Sequence, residues 1–320
     1  MNKLKNYIKG LTLEPAMLVV FVFLMLLFSR LVVSQLSNET NEYLVLIILQ
    51  LLTFGIPCAI WNRLRDLPRF REGKRRFVTR LRFSPPKLSH IVIIGAATAA
   101  LMSGCLLFSI GLSGRSSLEG SVSLYDTFVS RYNGTPLGVL WLVLAYAALP
   151  AFCEELLFRG VLAAEYDKYG VVCSIAMTTL WFGFLHFNFQ KLTVYLFAGL
   201  VLAALLYATR SVFSVMIAHF LYNLFGLFGQ QYITEFYITA GSVGVAVVIL
   251  ITVLLLSSAV FCGAARRLYL TYAKRDEPSD YREPSSKDEL LTRFRTVLLT
   301  PFAALAVAIF LGFAVVMIFV

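Results

Sequence analysis

The sequence predicts an all-α protein, a bundle of about eight or nine membrane-spanning helices. Two observations predict this fold class. First, 59% of the 320 residues are hydrophobic, and the mean hydropathy is +0.78. A soluble domain is rarely so apolar, whereas a polytopic membrane protein usually is. Second, the apolar residues are gathered into runs of about 20 residues, the length that a helix needs to cross the hydrocarbon core of a bilayer.

Nine candidate spans follow one another along the chain. They cover residues 14–34, 43–62, 90–112, 137–158, 171–188, 191–209, 211–229, 242–262 and 297–319. Lysines precede the first run, as they do in a signal peptide, but no small-residue cleavage site follows it. We therefore expect the first run to remain as a membrane anchor.

The distribution of charge predicts the orientation. Loop 63–87 carries ten Lys and Arg residues against two acidic ones, and the polar segment 263–296 is also rich in Lys and Arg. Basic loops of membrane proteins remain in the cytoplasm, so we expect a cytoplasmic N-terminus and an outer C-terminus. The net charge of +10 is then explained by topology, and no nucleic-acid partner is expected.

Ionisable side chains interrupt three of the apolar runs. Glu154 and Glu155 are adjacent at the end of one run, and His186 and His219 lie in two others. A carboxylate inside a bilayer costs several kcal/mol, so such residues generally have a task. Taken singly, a histidine could serve helix packing and a glutamate a proton pathway or an interface. Together, the two carboxylates and two imidazoles predict a buried hydrolytic site.

Helical spacing assigns different roles to the two glutamates. Residues four apart share one face of a helix, so Arg159 is placed to pair with Glu155 and to keep the segment ordered. Glu154 has no charged partner at this spacing and is expected to act as a base. By the same rule, Phe182 should lie beside His186 and orient its ring.

The remaining pair at this spacing is His219 and Asn223, which can face one cavity. In one interpretation, Glu154 and His186 hold a water that attacks a peptide carbonyl, and His219 and Asn223 stabilise the oxyanion. In another, Glu154, His186 and His219 bind a divalent metal such as zinc, which activates the water. The residues leave both open, and no HExxH pattern is present.

Three short motifs resemble those of a known family. EELLFR (154–159), FGFLH (182–186) and HFLYN (219–223) match, in order, the EExxxR, FxxxH and HxxxN/D motifs of the CPBP or Abi family. These are intramembrane proteases related to the CaaX prenyl endopeptidases of the Rce1 type. The resemblance covers about residues 137–230. It implies an endopeptidase with four catalytic and three supporting residues, namely Glu154, His186, His219 and Asn223, then Glu155, Arg159 and Phe182.

The resemblance also implies a division of the chain. We expect N-terminal helices with a basic cytosolic loop over 1–136, a catalytic core over 137–230, and C-terminal helices with a polar linker over 231–320. The expected partners are the lipid bilayer and a membrane-associated peptide or protein, including prenylated CaaX-type substrates. The expected location is the plasma membrane of a bacterium, as a multi-pass protein with a cytosol-facing cavity.

Two other functions compete with proteolysis. One is a non-catalytic membrane scaffold or a bacteriocin-immunity protein, which would not need to keep Glu154. The other is a proton-coupled transporter, but neither inverted repeats nor paired broken helices are evident.

One geometric problem accompanies the predicted spans. If the fourth helix ended at 158 and the fifth began at 171 on the same face, Glu154 would lie near that face and His186 about 23 Å from it in depth. Either the fourth helix continues past Arg159 and the fifth starts deeper, or one of the segments is re-entrant.

Overall fold

A computed structural model describes residues 13–34, 42–66, 81–113, 136–240, 243–274, 284 and 286–319. These residues form helices and no strand, which confirms the predicted all-α class. The sequence also contains Asn38-Glu-Thr and Asn133-Gly-Thr, which match the N-glycosylation pattern. Both lie outside the described residues, as does most of the basic loop 63–87.

The described residues form ten helices. They are α1 (Pro15–Ser34), α2 (42–66), α3 (Ile91–Ser113), α4 (136–169), α5 (Val171–Leu185), α6 (Leu192–Thr209), α7 (212–240), α8 (Val243–Lys274), α9 (Lys287–Leu298) and α10 (Pro301–Phe319). The predicted linker 263–296 is thus helical over 263–274 and 287–298.

Three of the helices contain π-helical segments. These are Leu51–Gly55 in α2, Leu144–Ala148 and Leu156–Leu162 in α4, and Phe225–Gly229 in α7. A π segment widens the helix by one residue in the turn and often marks a functional site. The two segments in α4 flank the adjacent glutamates.

The described residues contain seven or eight spans, against nine candidate runs in the sequence. Seven helices are long and apolar enough to cross a bilayer, and the bent pair α9–α10 adds an eighth when it is counted as one span. The difference is the fifth candidate, 171–188. Its helix, α5, has 15 residues and reaches about 22 Å, against about 30 Å of hydrocarbon.

The length of α4 solves the problem of depth. This helix continues past Arg159 to Tyr169, so Glu154 lies about 22 Å from its C-terminal end. His186 follows α5 directly and lies about as far from the start of α5 at Val171. Both residues are therefore at similar depth. The continuation of the fourth helix past Arg159 is confirmed, whereas the fifth helix begins at Val171 and not deeper.

One end of the bundle, here called the basic end, is held together by buried ion pairs. Arg65 at the end of α2 pairs with Glu165 near the end of α4, and both side chains are buried. Trp61 Nε1 also donates to Glu165 Oε1 at 3.2 Å. Since α2 and α4 both end here, they run in the same direction through the bundle.

The C-terminal end of α6 joins the same network. Arg82 pairs with Asp167 at 2.5 Å, and the hydroxyl of Tyr207 donates to the other oxygen of Asp167 at 2.6 Å. Asp167 closes α4 and Tyr207 lies in the last turn of α6. The basic end is thus where α2, α4 and α6 finish and where α3, α5 and α7 begin.

Glu165→Gln tests the buried pair at the basic end. The amide would leave the buried Arg65 without a compensating charge, so we expect the free energy of unfolding to fall by about 3 kcal/mol. The matched control is Glu289→Gln, which removes the more exposed pair with Arg293 and should change stability by less than about 0.5 kcal/mol. Thermal unfolding in detergent micelles measures both, and equal losses would contradict this account.

Candidate active site

The first motif lies in α4 between two distortions of the helix. Glu154 and Glu155 end the α-helical stretch Leu149–Glu155. Pro150 has no N–H and cannot continue the i→i−4 ladder, which fits the π turn just before it at Leu144–Ala148. Arg159 lies in the second π segment, Leu156–Leu162.

Glu155 is fully buried and contacts two basic side chains through one oxygen. Its Oε1 lies 3.1 Å from Arg159 Nη1 and 2.7 Å from His219 Nδ1. The pair with Arg159 forms as the four-residue spacing predicts. The contact with His219 is new, since sequence reasoning grouped His219 with Glu154. Because a carboxylate only accepts, His219 Nδ1 carries the proton in this contact.

Arg159 extends the cluster to α5 and α6. Its Nη2 donates to the carbonyl oxygen of Gly199 at 2.8 Å, and its guanidinium lies 4.6 Å from the ring centroid of Phe182. A Cβ atom on Gly199 would lie 3.2 Å from Phe182 Cδ1 and 3.3 Å from Thr179 Cα. The absence of a side chain therefore lets α5 and α6 approach closely.

His186 is held by its own helix and by α6. Its Nδ1 lies 2.9 Å from the carbonyl oxygen of Phe182, and the two rings meet edge to face at 5.1 Å, as the spacing predicts. A carbonyl only accepts, so Nδ1 carries the proton and Nε2 of the neutral ring keeps a lone pair. The ring stacks on Tyr195 at 3.8 Å.

Glu154 differs from its neighbour. In both glutamates Oε2 is buried and has no hydrogen-bond partner among the described residues. Glu155 is paired through Oε1, whereas Glu154 forms no ion pair there. A buried carboxylate oxygen without a partner is destabilising, so Glu154 does not contribute to the stability of the folded protein. Its side chain lines a cavity instead.

This cavity, here called the inner cavity, brings the predicted catalytic residues together. Its volume is about 190 Å³, and Glu154, His186, His219 and Asn223 all line it. Asn223 Nδ2 donates to the carbonyl oxygen of Ala147 at 3.3 Å, which anchors the amide beside α4. The seven residues singled out from the sequence thus form one continuous group.

Sequence reasoning missed three tyrosines that line the inner cavity, Tyr146, Tyr195 and Tyr222. The only signal was weak, a phenol inside an apolar run, and tyrosine is common in such runs. Tyr222 lies within HFLYN, at a position that the HxxxN pattern leaves open, and the other two lie outside the three motifs.

The donor set does not fit a metal ion. In the described part of the chain, no three His, Cys, Asp or Glu side chains are grouped so that they could hold one. Glu154, His186 and His219 line the same cavity, but they do not form such a group. The expectation of a zinc site is therefore not supported by the geometry, and no step below uses a metal.

A second, larger cavity adjoins the inner one and shares Glu154, His186 and Tyr195 with it. This outer cavity has a volume of about 740 Å³. Residues from the C-terminal half of α1 and from the N-terminal halves of α2 and α4 line it, among them Arg30, Gln50 and Tyr146. These halves lie away from the basic end. The cavity therefore does not face the end that the positive-inside rule assigns to the cytosol, unlike the cytosol-facing cavity expected from the sequence.

Substituting the adjacent glutamates tests their different roles. Glu155→Gln should lower the free energy of unfolding by about 3 kcal/mol, because it removes the charge that compensates the buried Arg159. Glu154→Gln should not lower it, since Oε2 has no partner to lose. Thermal unfolding of both variants in the same detergent makes the comparison, and equal destabilisation would contradict it.

Comparison with known proteins locates the resemblance in the same part of the chain. No curated protein matches the chain, and no solved structure does. A family model, that of the Rce1-like type II CAAX prenyl endopeptidases, matches residues 136–225. This range contains all three motifs and every residue of the buried cluster. The match confirms the resemblance seen in the sequence: the helices that build the candidate active site are similar to those of the Rce1-like CAAX prenyl endopeptidases.

Proposed function

We propose that the protein is an intramembrane endopeptidase that hydrolyses peptide bonds of membrane-associated substrates. The observation that carries the proposal is the unpaired carboxylate of Glu154, which shares the inner cavity with two histidines and an asparagine. The match of residues 136–225 to an endopeptidase family supports it.

Glu154 acts first as a general base. It takes a proton from a water molecule while the water oxygen forms a bond to the carbonyl carbon of the substrate. His186 supports this step, because its Nε2 lone pair accepts the second hydrogen of the water and fixes the direction of attack. The hydrogen bond from Nδ1 to Phe182 and the stack on Tyr195 hold the ring in this orientation.

His219 and Asn223 stabilise the oxyanion that this attack creates. Glu155 orients His219 through Nδ1, which leaves Nε2 for the substrate, as a carboxylate orients the histidine of a serine protease. When the imidazole is protonated, Nε2 donates to the oxyanion, and the negative charge of Glu155 compensates the imidazolium. Asn223 uses one amide hydrogen on Ala147 and has a second for the oxyanion.

Glu154 completes the reaction as a general acid. The tetrahedral intermediate collapses, the carbon–nitrogen bond breaks, and Glu154 returns its proton to the leaving nitrogen. The new carboxylic acid then gives its proton to the amine, so the products are a carboxylate and an ammonium group, one water is consumed, and the enzyme ends in its starting state.

The proposed substrates are proteins tethered to or embedded in the membrane. Rce1-like proteins are described as CAAX prenyl endopeptidases, and a prenylated tail is one candidate for this chain. The apolar helices around the site suit a lipid-modified or transmembrane segment equally, so both classes belong in an assay.

Glu154→Gln tests the proposed function. We expect cleavage to fall by about a thousandfold or more, because an amide cannot take the proton from water. The assay uses purified full-length protein with a quenched prenylated peptide and a panel of membrane-protein segments, with and without a chelator. The matched control is Glu235→Gln, an exposed carboxylate of α7, which should cleave like the wild type.

Either of two results would contradict this mechanism. Loss of activity with the chelator would replace the glutamate-activated water with a metal-bound one. Absence of cleavage across the panel by folded wild-type protein would favour the scaffold hypothesis.

Asn223→Ala tests the oxyanion role. Removal of one donor from such a site lowers kcat by about a hundredfold or more. We expect KM to change little, because the contact strengthens only as charge develops on oxygen. Steady-state kinetics on the best substrate of the panel separates the two parameters, and a rise in KM at constant kcat would assign Asn223 to substrate binding.

A further inference from the structure

The outer cavity points away from the basic end, and three contacts establish this. At the basic end, Arg65 of α2 meets Glu165 of α4. At the opposite end, Tyr43 of α2 packs in one cluster with Leu142 of α4. Between them, Arg30 of α1 donates to the carbonyl oxygen of His186 at 3.1 Å. The cavity residues come from the helix halves at this opposite end, here called the far end.

The lining of the outer cavity offers hydrogen bonds to a peptide backbone. Hydrogen-bonding side chains are spread around it, among them Ser29, Gln50, Thr53 and Asn188. Gln50 Oε1 is buried and has no partner among the described residues. An extended peptide must satisfy its backbone groups inside a bilayer, and such side chains can do so. A volume near 740 Å³ is within the range of sites that hold a compact ligand.

Arg30 gives the mouth of this cavity its charge. It is the only Lys or Arg among the described residues that line the cavity, and its side chain is exposed. The guanidinium lies 5.5 Å from the ring centroid of Phe187 and 5.3 Å from that of Phe313. These rings and the bond to His186 hold it in place, and its remaining N–H groups can bind a carboxylate in a bidentate manner.

We propose that the substrate segment enters through the outer cavity from the far end, and that Arg30 binds a carboxylate of this segment. The carboxylate is the chain terminus or an acidic side chain. The bond to be cleaved then lies deeper, next to Glu154, which lines both cavities. This proposal rests on the peptidase function, but access and binding are measured without any cleavage, so the two can fail separately.

Cysteine labelling tests the side of access. In a Cys262→Ala background, in which the other four cysteines are buried, Ser29→Cys places a thiol in the outer cavity. Lys274→Cys places one at the C-terminal end of α8, which lies at the basic end because Tyr272 donates to the carbonyl oxygen of Thr209 at the end of α6. A membrane-impermeant maleimide is added to spheroplasts before and after permeabilisation. We expect the two thiols to react from opposite faces of the membrane. Reaction from the same face would overturn the proposal. Val33→Cys, which also lies in the cavity lining, replaces Ser29→Cys in the experiment if that variant does not fold.

Protection of the Ser29→Cys thiol tests the role of Arg30. Purified full-length protein carrying Glu154→Gln, which cannot cleave, is incubated with a short apolar peptide in three forms: free C-terminus, amidated C-terminus, and amidated C-terminus with one Glu. We expect the two carboxylate peptides, or one of them, to protect at about tenfold lower concentration than the neutral one. Which of them protects identifies the source of the carboxylate.

Variants of Arg30 complete the test. Arg30→Gln should remove the difference between charged and neutral peptides, and Arg30→Lys should restore part of it. Equal protection by all three peptides, or by none, would overturn the role of Arg30 and leave it as an anchor at lipid headgroups.

Discussion

The arrangement of the site depends on one carboxylate, that of Glu155. It is buried without solvent and binds the basic side chains Arg159 and His219. A buried charge is tolerated only when it is compensated, so these residues hold one another in place. Because Arg159 also reaches α6 through Gly199, the single cluster joins α4, α6 and α7. Both basic side chains are therefore bound to Glu155, and Glu154 has no ion pair among the described residues.

Contacts within one helix could be predicted from the sequence, and contacts between helices could not. The Glu155–Arg159 pair and the packing of Phe182 on His186 follow from the four-residue spacing. The hydrogen bond from His219 to Glu155 joins residues 64 positions apart. The four-residue spacing of a helix predicts contacts within one helix only, so it could not predict this bond. The same reason explains why the inward-facing tyrosines such as Tyr195 were missed.

The edges of the spans were predicted poorly where polar residues lie inside a helix. Glu165 and Asp167 look like the residues of a loop, and the fourth span was therefore expected to end at 158. In the structure they belong to the same continuous helix, because Arg65 and Arg82 from distant segments compensate their charges. Hydropathy measures each residue alone, so a compensated pair is counted as two polar interruptions.

The short length of α5 bears on how a hydrolase inside a bilayer obtains water. This helix ends at Leu185. It is shorter than the roughly 20 residues of a full span, so the turn that follows it lies inside the membrane and not at its surface. Asn188 Oδ1 accepts from the backbone of Lys191 at 2.9 Å, so the turn satisfies part of its own backbone at that depth. A polar turn placed there shortens the hydrocarbon barrier beside His186. In the proposed mechanism, the missing turns of helix shorten the distance that water must cross to reach Glu154.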